Sequence, residues 1–231
     1  VKGVGKSVNV GSVGFGENFG FYTKRQGCNG WQVGLLAGVF SQFNLDAPSS
    51  DLINADYIVG IPLSWRHGAW STRVRLYHQS SHVGDEFLLE NPAFNRVNLS
   101  FEEVEAILSY DHRWVRVYAG GGYLLHREPA VLDRNHVQWG MELRGPTIDA
   151  PFLERGIPGL QLTPVLGADF KTFEELHWII NIHVVGGFVL SRPGAKRRFR
   201  FLVNYYRGFY PYGQFFNEKV ESVGFGFYLA F

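Results

Sequence analysis

One short segment carries side chains that could perform hydrolytic chemistry. Tyr77 to His82 reads Tyr-His-Gln-Ser-Ser-His, which places an imidazole at His78 and a hydroxyl at Ser80. Residues two apart project from the same face of a β-strand. An imidazole within hydrogen-bonding reach of a hydroxyl can remove its proton and turn the oxygen into a nucleophile. The spacing therefore permits His78 to activate Ser80.

A second group of residues carries charge rather than nucleophiles. Seven charged side chains occupy alternate positions in successive apolar segments, where they are predicted to face inward together. They are Arg73, Arg75, Glu103, Glu105, Arg116, Glu142 and Arg144. Two interpretations remain open, a structural plug of salt bridges and a charged constriction that selects solutes.

The segments that hold these residues alternate between apolar and other side chains. The last one has large apolar residues at Val223, Phe225, Phe227, Leu229 and Phe231, with smaller residues between most of them. A period of two predicts β-strands, whereas a helical period would scatter these residues around an axis. Eleven such segments follow one another: 13–22, 31–40, 56–66, 70–77, 103–110, 115–126, 137–144, 160–171, 178–188, 198–206 and 223–231.

Composition narrows the class of protein. The 231 residues fit one domain, 1–231, with 45% hydrophobic and 16% aromatic residues and 28 glycines. No run approaches the ~20 apolar residues of a spanning helix. The net charge of +1 gives no basis for binding nucleic acid, and Cys28 alone can form neither an internal disulfide nor a cysteine-clustered metal site. Because no charged-plus-apolar leader is seen, we expect any export signal to have been removed.

Alternating segments of about ten residues predict an all-β fold, an antiparallel transmembrane up-and-down β-barrel of about twelve strands, with ten as the alternative. The twelfth strand would lie in Val1–Val10. Long connections alternate with short turns, and only Pro146–Gly159 departs from this pattern. Such barrels have short periplasmic turns and longer external loops. The predicted location is therefore the bacterial outer membrane, with the C-terminus in the periplasm.

Two resemblances rest on particular residues. The closing aromatic strand, with its final Phe231, resembles the C-terminal signature that assembly machinery reads in bacterial outer-membrane barrels. The outward His78-x-Ser80 is similar to that of outer-membrane phospholipase A and of a lipid A 3-O-deacylase. This second resemblance implies that His78 is the general base and Ser80 the acyl-accepting nucleophile. Those families also orient the histidine with a third residue, for which Asp56 and Glu86 are the candidates here.

A third resemblance carries no activity. The string Tyr77–Phe87, with Asp51–Tyr57 before it, looks like an uncharacterised bacterial family of presumed barrels. The polar residues have plainer interpretations as well. His78, Ser80 and His82 could simply form the polar rim where a strand leaves the bilayer. A shared metal ion would need a chain reversal, because His78 and His82 lie roughly 13 Å apart on a straight strand.

Three functions remain as hypotheses. The first is a structural or partner-binding barrel with a filled polar lumen, the second a lipid-modifying serine hydrolase at the outer leaflet, and the third a narrow channel for small solutes. The expected partners are membrane lipids or lipopolysaccharide, with a protein partner in the outer membrane as a further option. No cofactor motif and no metal site stand out. Calcium at Asp85 and Glu86 lacks an ordered ligand set.

Overall fold

The computed structural model describes residues 8–150, 159–195 and 197–230, and these residues are mainly β-strand. Eleven of the described strands have ten or more residues, and one has two. Their bounds are β1 Val10–Gln26, β2 Asn29–Asn44, β3 Asp51–His67, β4 Trp70–Val83, β5 Leu99–His112, β6 Val115–Glu128, β7 Asn135–Arg144, β8 Ile148–Asp149, β9 Gln161–Phe173, β10 Asn181–Ser191, β11 Arg198–Phe209 and β12 Lys219–Ala230. Among the described residues, one α-helix, α1, spans Asp85–Glu90, and short 3-10 helices span Glu174–Leu176 and Gly213–Phe215.

The strands form one antiparallel up-and-down sheet. Each long strand pairs with the next one along the chain, and β7 pairs with β9 while β8 pairs with β9 beside that path. The sheet curls strongly into a half-barrel, in which β1 and β12 each have a single neighbour among the described residues. This confirms the all-β, antiparallel up-and-down prediction. The twelfth strand of the described sheet is the short β8. The strand that the sequence predicts in Val1–Val10 lies largely outside the described residues, which begin at Val8.

Alternation separates a convex outer face from a concave inner face. On β12, Val223, Phe225 and Phe227 are exposed by 72%, 74% and 75%, all on the convex face. The predicted aromatic strand is thus present, although Phe231 lies outside the described residues. Buried charged side chains such as Glu105 lie on the concave face. The period of two in the sequence therefore produces two walls of opposite polarity.

Connections of different length gather at the two ends of the sheet. The long-loop end holds the connections 45–50, 84–98, 129–134, 174–180 and 210–218. The short-turn end holds tight turns such as those at Gly27 and Gly68, and β7 ends there and β9 begins there. In the part of the chain that the structure describes, no helix is long and apolar enough to cross a membrane.

One predicted strand starts later than expected. The segment beginning at Trp178 was predicted to be strand, but β10 begins at Asn181. A 3-10 helix at Glu174–Leu176 comes first, and His177 and Trp178 have φ angles of 54° and 59°. These left-handed residues turn the chain, so the apolar run Trp178–Ile180 forms an exposed connection rather than a strand.

The connection between β11 and β12 folds into the mouth of the half-barrel. We call residues 210–218 the cap segment. Its Gly213 amide donates to Asp56 Oδ2 at 3.1 Å, and Gln214 Nε2 donates to the carbonyls of Ser81 and Val97, both at 2.8 Å. Tyr210 donates its hydroxyl to Gln42 Oε1 at 2.5 Å. The cap segment is therefore tied to β2, β3 and β4 across the concave face.

Aromatic packing holds the same cap segment against the 84–98 connection. The ring of Phe215 lies 5.5 Å from that of Phe87 and 5.1 Å from that of Phe94. Burial raises the pKa of Tyr210 to about 12, so its hydroxyl keeps the proton that it donates to Gln42 into the alkaline range. Apolar packing and directional hydrogen bonds together fix this segment over the inner wall.

Candidate functional site

The alternation of β4 divides its side chains between the two faces. Leu76, His78 and Ser80 point to the convex face, whereas Tyr77 and Ser81 are buried on the concave face. The predicted outward direction of His78 and Ser80 agrees with this arrangement. A histidine and a serine therefore share the outer wall toward the long-loop end of β4.

Glu102 on β5 is the partner that the structure gives to His78. The two residues are directly paired across the strands, and Glu102 Oε1 lies 2.7 Å from His78 Nδ1. The other oxygen of the same carboxylate lies 2.9 Å from His126 Nδ1 on β6. We call His78, Ser80, Glu102 and His126 the outer-wall cluster. The carboxylate of Glu102 contacts both imidazoles at their Nδ1 atoms, and neither Nε2 atom has a hydrogen-bond partner among the described residues.

A β-bulge brings His126 into this cluster. Glu102 pairs with His126 and Glu103 pairs with Leu124, so Leu125 is an extra residue without a partner on β5. An inserted residue reverses the alternation that follows it. Without a bulge, the alternation of Val115, Val117 and Ala119 with Arg116 and Tyr118 would continue and place His126 on the inner face. The structure corrects this, because the bulge turns His126 outward beside Glu102.

Ser80 is close to His78 along the strand, but no hydrogen bond joins the two side chains in the residues that the structure describes. Ser80 pairs with Tyr57 on β3 and with Ser100 on β5. His78 itself pairs with Val59 on β3. Activation of Ser80 would therefore require a side-chain rotation that brings its hydroxyl to His78 Nε2.

Neither predicted orienting residue reaches His78. Asp56 is buried on the concave face, where Ser81 donates to its Oδ1 at 2.5 Å and Asn54 donates at 2.8 Å. The sheet itself separates Asp56 from the outer wall. Glu86 lies with Asp85 in the first turn of α1 and is exposed. The carboxylate that contacts His78 Nδ1 is instead that of Glu102.

His82 has a separate environment. β4 continues to Val83, so no chain reversal follows Ser80 to bring His82 back to His78. The ring of His82 instead packs edge-on against Tyr57 at 5.6 Å. The two histidines of the His-Gln-Ser-Ser-His segment thus point to the same wall without sharing a ligand position.

The concave face carries a denser group of charges. Arg73 and Arg75 bind the two oxygens of Glu105 at 3.3 and 2.8 Å. The neighbouring Glu103 accepts a hydrogen bond from Tyr77 at 2.7 Å and lies 3.1 Å from His136 Nδ1. We call Arg73, Arg75, Tyr77, Glu103, Glu105 and His136 the inner-wall cluster. Glu105 and Glu103 are only 1% and 3% exposed, so protein groups replace water around both carboxylates.

Three members of the inner-wall cluster have metal-ligating side chains. One ligand atom each from Glu103, Glu105 and His136 lies within 4.8 Å of the others. Both oxygens of Glu105, however, are already engaged by arginines. A divalent cation would have to compete with Arg75 for Glu105 Oε2. Its two positive charges would also lie close to the positively charged guanidinium of Arg75. The arrangement therefore fits a salt-bridge plug better than a metal site.

The remaining predicted inner residues lie nearer the short-turn end. Arg116 donates to Ser109 Oγ at 3.0 Å, and Arg144 forms a short ion pair with Glu142. Arg73, Arg116 and Glu142 line an open cavity of about 830 Å³ on the concave face. Arg144 lines a second cavity together with Glu142. The seven charged residues therefore lie along the concave face, from the inner-wall cluster to the short-turn end.

The comparisons with known proteins give a family and nothing more specific. Searches of curated proteins and of solved structures found no match. A family model described as "Protein of unknown function (DUF1207)" matches residues 4–231. Because this match covers nearly the whole sequence, the chain belongs to the DUF1207 family.

Proposed function

We propose that this protein is an integral β-barrel of the bacterial outer membrane with a structural or partner-binding role and an interior filled by side chains. The observation that carries the proposal is the convex wall, where large apolar residues are exposed strand after strand. Phe15, Ile61 and Leu108, for example, are exposed by 77%, 56% and 48%. Contiguous apolar surface of this kind is unfavourable in water and favourable against lipid.

The aromatic residues support a membrane orientation. Trp31, Trp65 and Trp70 lie on the convex wall near the short-turn end, where they would form part of an interfacial girdle. Short turns face the periplasm in outer-membrane barrels. β12 runs toward the short-turn end, so this orientation puts the C-terminus in the periplasm and the cap segment outside. Membrane lipids or lipopolysaccharide would then contact the convex wall.

The inner-wall cluster and the cap segment favour a filled interior over an open passage. Paired charges occupy the middle of the concave face, and the cap segment crosses it at the long-loop end. A narrow solute channel would need a continuous path past both. We therefore expect no stable conductance when the protein is reconstituted in planar bilayers. Ion-conducting steps would contradict the filled-interior proposal and favour the channel.

Membrane insertion can be tested with two adjacent residues of β12. Phe227 faces the convex side, and its neighbour Tyr228, paired with Arg200, faces the concave side. Arginine on a lipid-facing wall costs about 2–4 kcal/mol near the bilayer midplane. Phe227→Arg should therefore impair insertion into phospholipid vesicles, whereas Tyr228→Arg should not. Equal insertion of both variants, or recovery of the wild-type chain in the soluble fraction, would overturn the proposal.

The outer-wall cluster favours a second candidate function, hydrolysis of lipid acyl esters. Its support is the 2.7 Å contact between His78 Nδ1 and Glu102, because a carboxylate at this nitrogen holds the imidazole ring in one orientation. In the first step Ser80 Oγ bonds to the acyl carbon as the ester C–O bond breaks. His78 carries the serine proton to the departing alcohol. Water then attacks the acyl carbon and gives a proton to His78, the bond between the acyl carbon and Ser80 Oγ breaks to release the fatty acid, and His78 passes that proton to Ser80 Oγ.

Mass spectrometry of released acyl chains tests this candidate. The purified full chain is incubated with phospholipid and, separately, with lipopolysaccharide. Ser80→Ala should abolish release, while Ser100→Ala supplies a matched control because Ser100 is the cross-strand partner of Ser80. Acyl release that is absent in the wild type, or equal in both variants, would exclude hydrolysis at Ser80. That outcome would not affect the membrane-barrel proposal, which the vesicle-insertion experiment tests separately.

A further inference from the structure

A cavity of about 350 Å³ lies on the concave face between the cap segment and the inner-wall cluster. The cap residues Tyr210, Tyr212 and Phe216 line it from the long-loop side, and Glu103 and His136 line it from the other side. Its volume falls within the range of small-molecule sites in proteins. The cavity is distinct from the outer-wall cluster, since the sheet lies between them.

Aromatic rings form much of the cavity wall. Phe101 comes from β5, Phe173 from β9 and Tyr206 from β11, so the rings surround the space from several strands. The ring of Phe101 packs edge-on against Tyr77 at 6.2 Å. Aromatic walls favour a ligand that has an apolar or aromatic group, and they discriminate little between ligands of different charge.

Three polar groups of the cavity lack full protein partners. Lys171 contacts the Phe173 ring with Nζ at 4.9 Å, but it makes no hydrogen bond or ion pair within the described ranges. Glu103 Oε1 and His136 Nε2 are buried and have no hydrogen-bond partner in the same described residues. The 3.1 Å approach of His136 Nδ1 to Glu103 Oε1 does not have hydrogen-bond geometry. Buried polar atoms without partners are uncommon in native proteins and call for an explanation.

Other polar groups of the lining are already engaged. Gln138 donates to Asp169 at 2.7 Å, and the Glu175 carboxylate accepts from the Asp133 amide at 2.6 Å. Arg134 donates to the carbonyls of Leu124 and Leu125. Lys171 Nζ, Glu103 Oε1 and His136 Nε2 thus supply one ammonium, one carboxylate oxygen and one imidazole nitrogen that have no hydrogen-bond partner among the described residues.

We propose that this cavity binds a small zwitterion, an α-amino acid with an apolar or aromatic side chain. The ligand carboxylate pairs with Lys171, and the ligand ammonium pairs with Glu103 Oε1. His136 Nε2 provides a further hydrogen bond, and the ligand side chain packs against the aromatic wall. A zwitterion can pair with both Lys171 and Glu103, whereas a ligand with a single charge can pair with only one of the two.

Three probes that share a phenyl group test the proposal by isothermal titration calorimetry on the full-length protein in detergent. Phenylalanine carries both charges, 3-phenylpropionate only the carboxylate and phenethylamine only the ammonium. Phenylalanine should bind about tenfold more tightly than either of the others, since each lacks one charge-assisted hydrogen bond. Equal affinity for the three, or no binding of phenylalanine at millimolar concentration, would overturn the proposal without any variant.

Two variants test which protein side chain pairs with each charged group of the ligand. Lys171→Met should weaken phenylalanine binding about tenfold or more and leave phenethylamine nearly unaffected. Glu103→Gln should do the converse and spare 3-phenylpropionate. Lys219→Met is a matched control, because Lys219 also lies over a ring, that of Phe209 at 5.6 Å, but is exposed and does not line the cavity. An equal loss in Lys219→Met and Lys171→Met would contradict the assignment.

Discussion

Glu102 and Glu103 are adjacent in the sequence and lie in opposite environments. The Glu102 side chain is 39% exposed on the convex wall and lies between two histidines. Glu103 is 3% exposed on the concave wall and lies between Tyr77 and His136. Because successive strand residues face opposite sides, a single peptide bond separates the candidate chemistry of the outer wall from the charged core.

The two walls differ in what their charges contribute to the protein. Contacts at Glu102 are partly solvated, and exposed ion pairs contribute little to stability. Contacts at Glu103 and Glu105 are shielded from water, so removing one partner leaves the other uncompensated. The comparison predicts that inner-wall substitutions will affect folding, whereas outer-wall substitutions will affect mainly what the surface binds or reacts with.

The largest effect is expected at Glu105. Glu105→Ala removes the carboxylate that binds both Arg73 and Arg75, and it should lower the free energy of unfolding by about 3–5 kcal/mol. Glu142→Ala is the control, since Glu142 pairs with an Arg144 side chain that is 53% exposed, and its loss should cost less than about 1 kcal/mol. Denaturant unfolding in detergent measures both. Similar losses would mean that the inner-wall cluster is not a stabilising core.

A smaller effect is expected at Gln214, where the cap segment meets the inner wall. Gln214→Leu leaves the carbonyls of Ser81 and Val97 without their donor, and it should destabilise the protein by about 1–3 kcal/mol. Gln26→Leu at the exposed end of β1 should be close to neutral. Protease cleavage within the cap segment should also increase in Gln214→Leu alone. An unchanged unfolding midpoint would show that the cap segment is held by its aromatic contacts.

Alkaline pH should loosen the same cap segment. The raised pKa of Tyr210 means that an unfolded chain loses this phenolic proton near pH 10, but the folded chain loses it only at about 12. The stabilisation is therefore present below pH 10 and is lost as the pH rises from 10 to 12. Tyrosinate absorbance should show a late-titrating group that is absent in Tyr210→Phe. A profile unchanged by that substitution would place Tyr210 in solvent.

Much of this arrangement could be predicted from the period of two in the sequence. That period places Phe225 and His78 outward and Glu105 inward, because side-chain direction in a strand depends only on parity. The outward direction of Glu102 could also be predicted, since this residue continues the outward series of Val104, Ala106 and Leu108. It was missed as the partner of His78 because the long 84–98 connection leaves the register of β4 against β5 undefined.

Other features of the structure could not be predicted from the local sequence pattern. The bulge at Leu125 reverses parity within one strand, and the pairing with β5 that defines it is a long-range property. The cap segment resembles an ordinary loop in sequence, and its position depends on partners more than a hundred residues away, such as Asp56 and Ser81. The turn at His177 and Trp178 likewise interrupts an apolar run that alternation alone would extend.

The smallest stability effect should come from Glu102, and it sharpens the comparison most. Glu102→Gln should change the free energy of unfolding by less than about 1 kcal/mol, because its carboxylate is partly exposed. If Ser80 is a nucleophile, the same variant should still lower acyl release at least about tenfold, since His78 loses the charge that orients it. His126→Ala, which removes only the second histidine on this carboxylate, is the control and should retain release. A large loss of stability in Glu102→Gln would mean that the outer-wall cluster is structural after all.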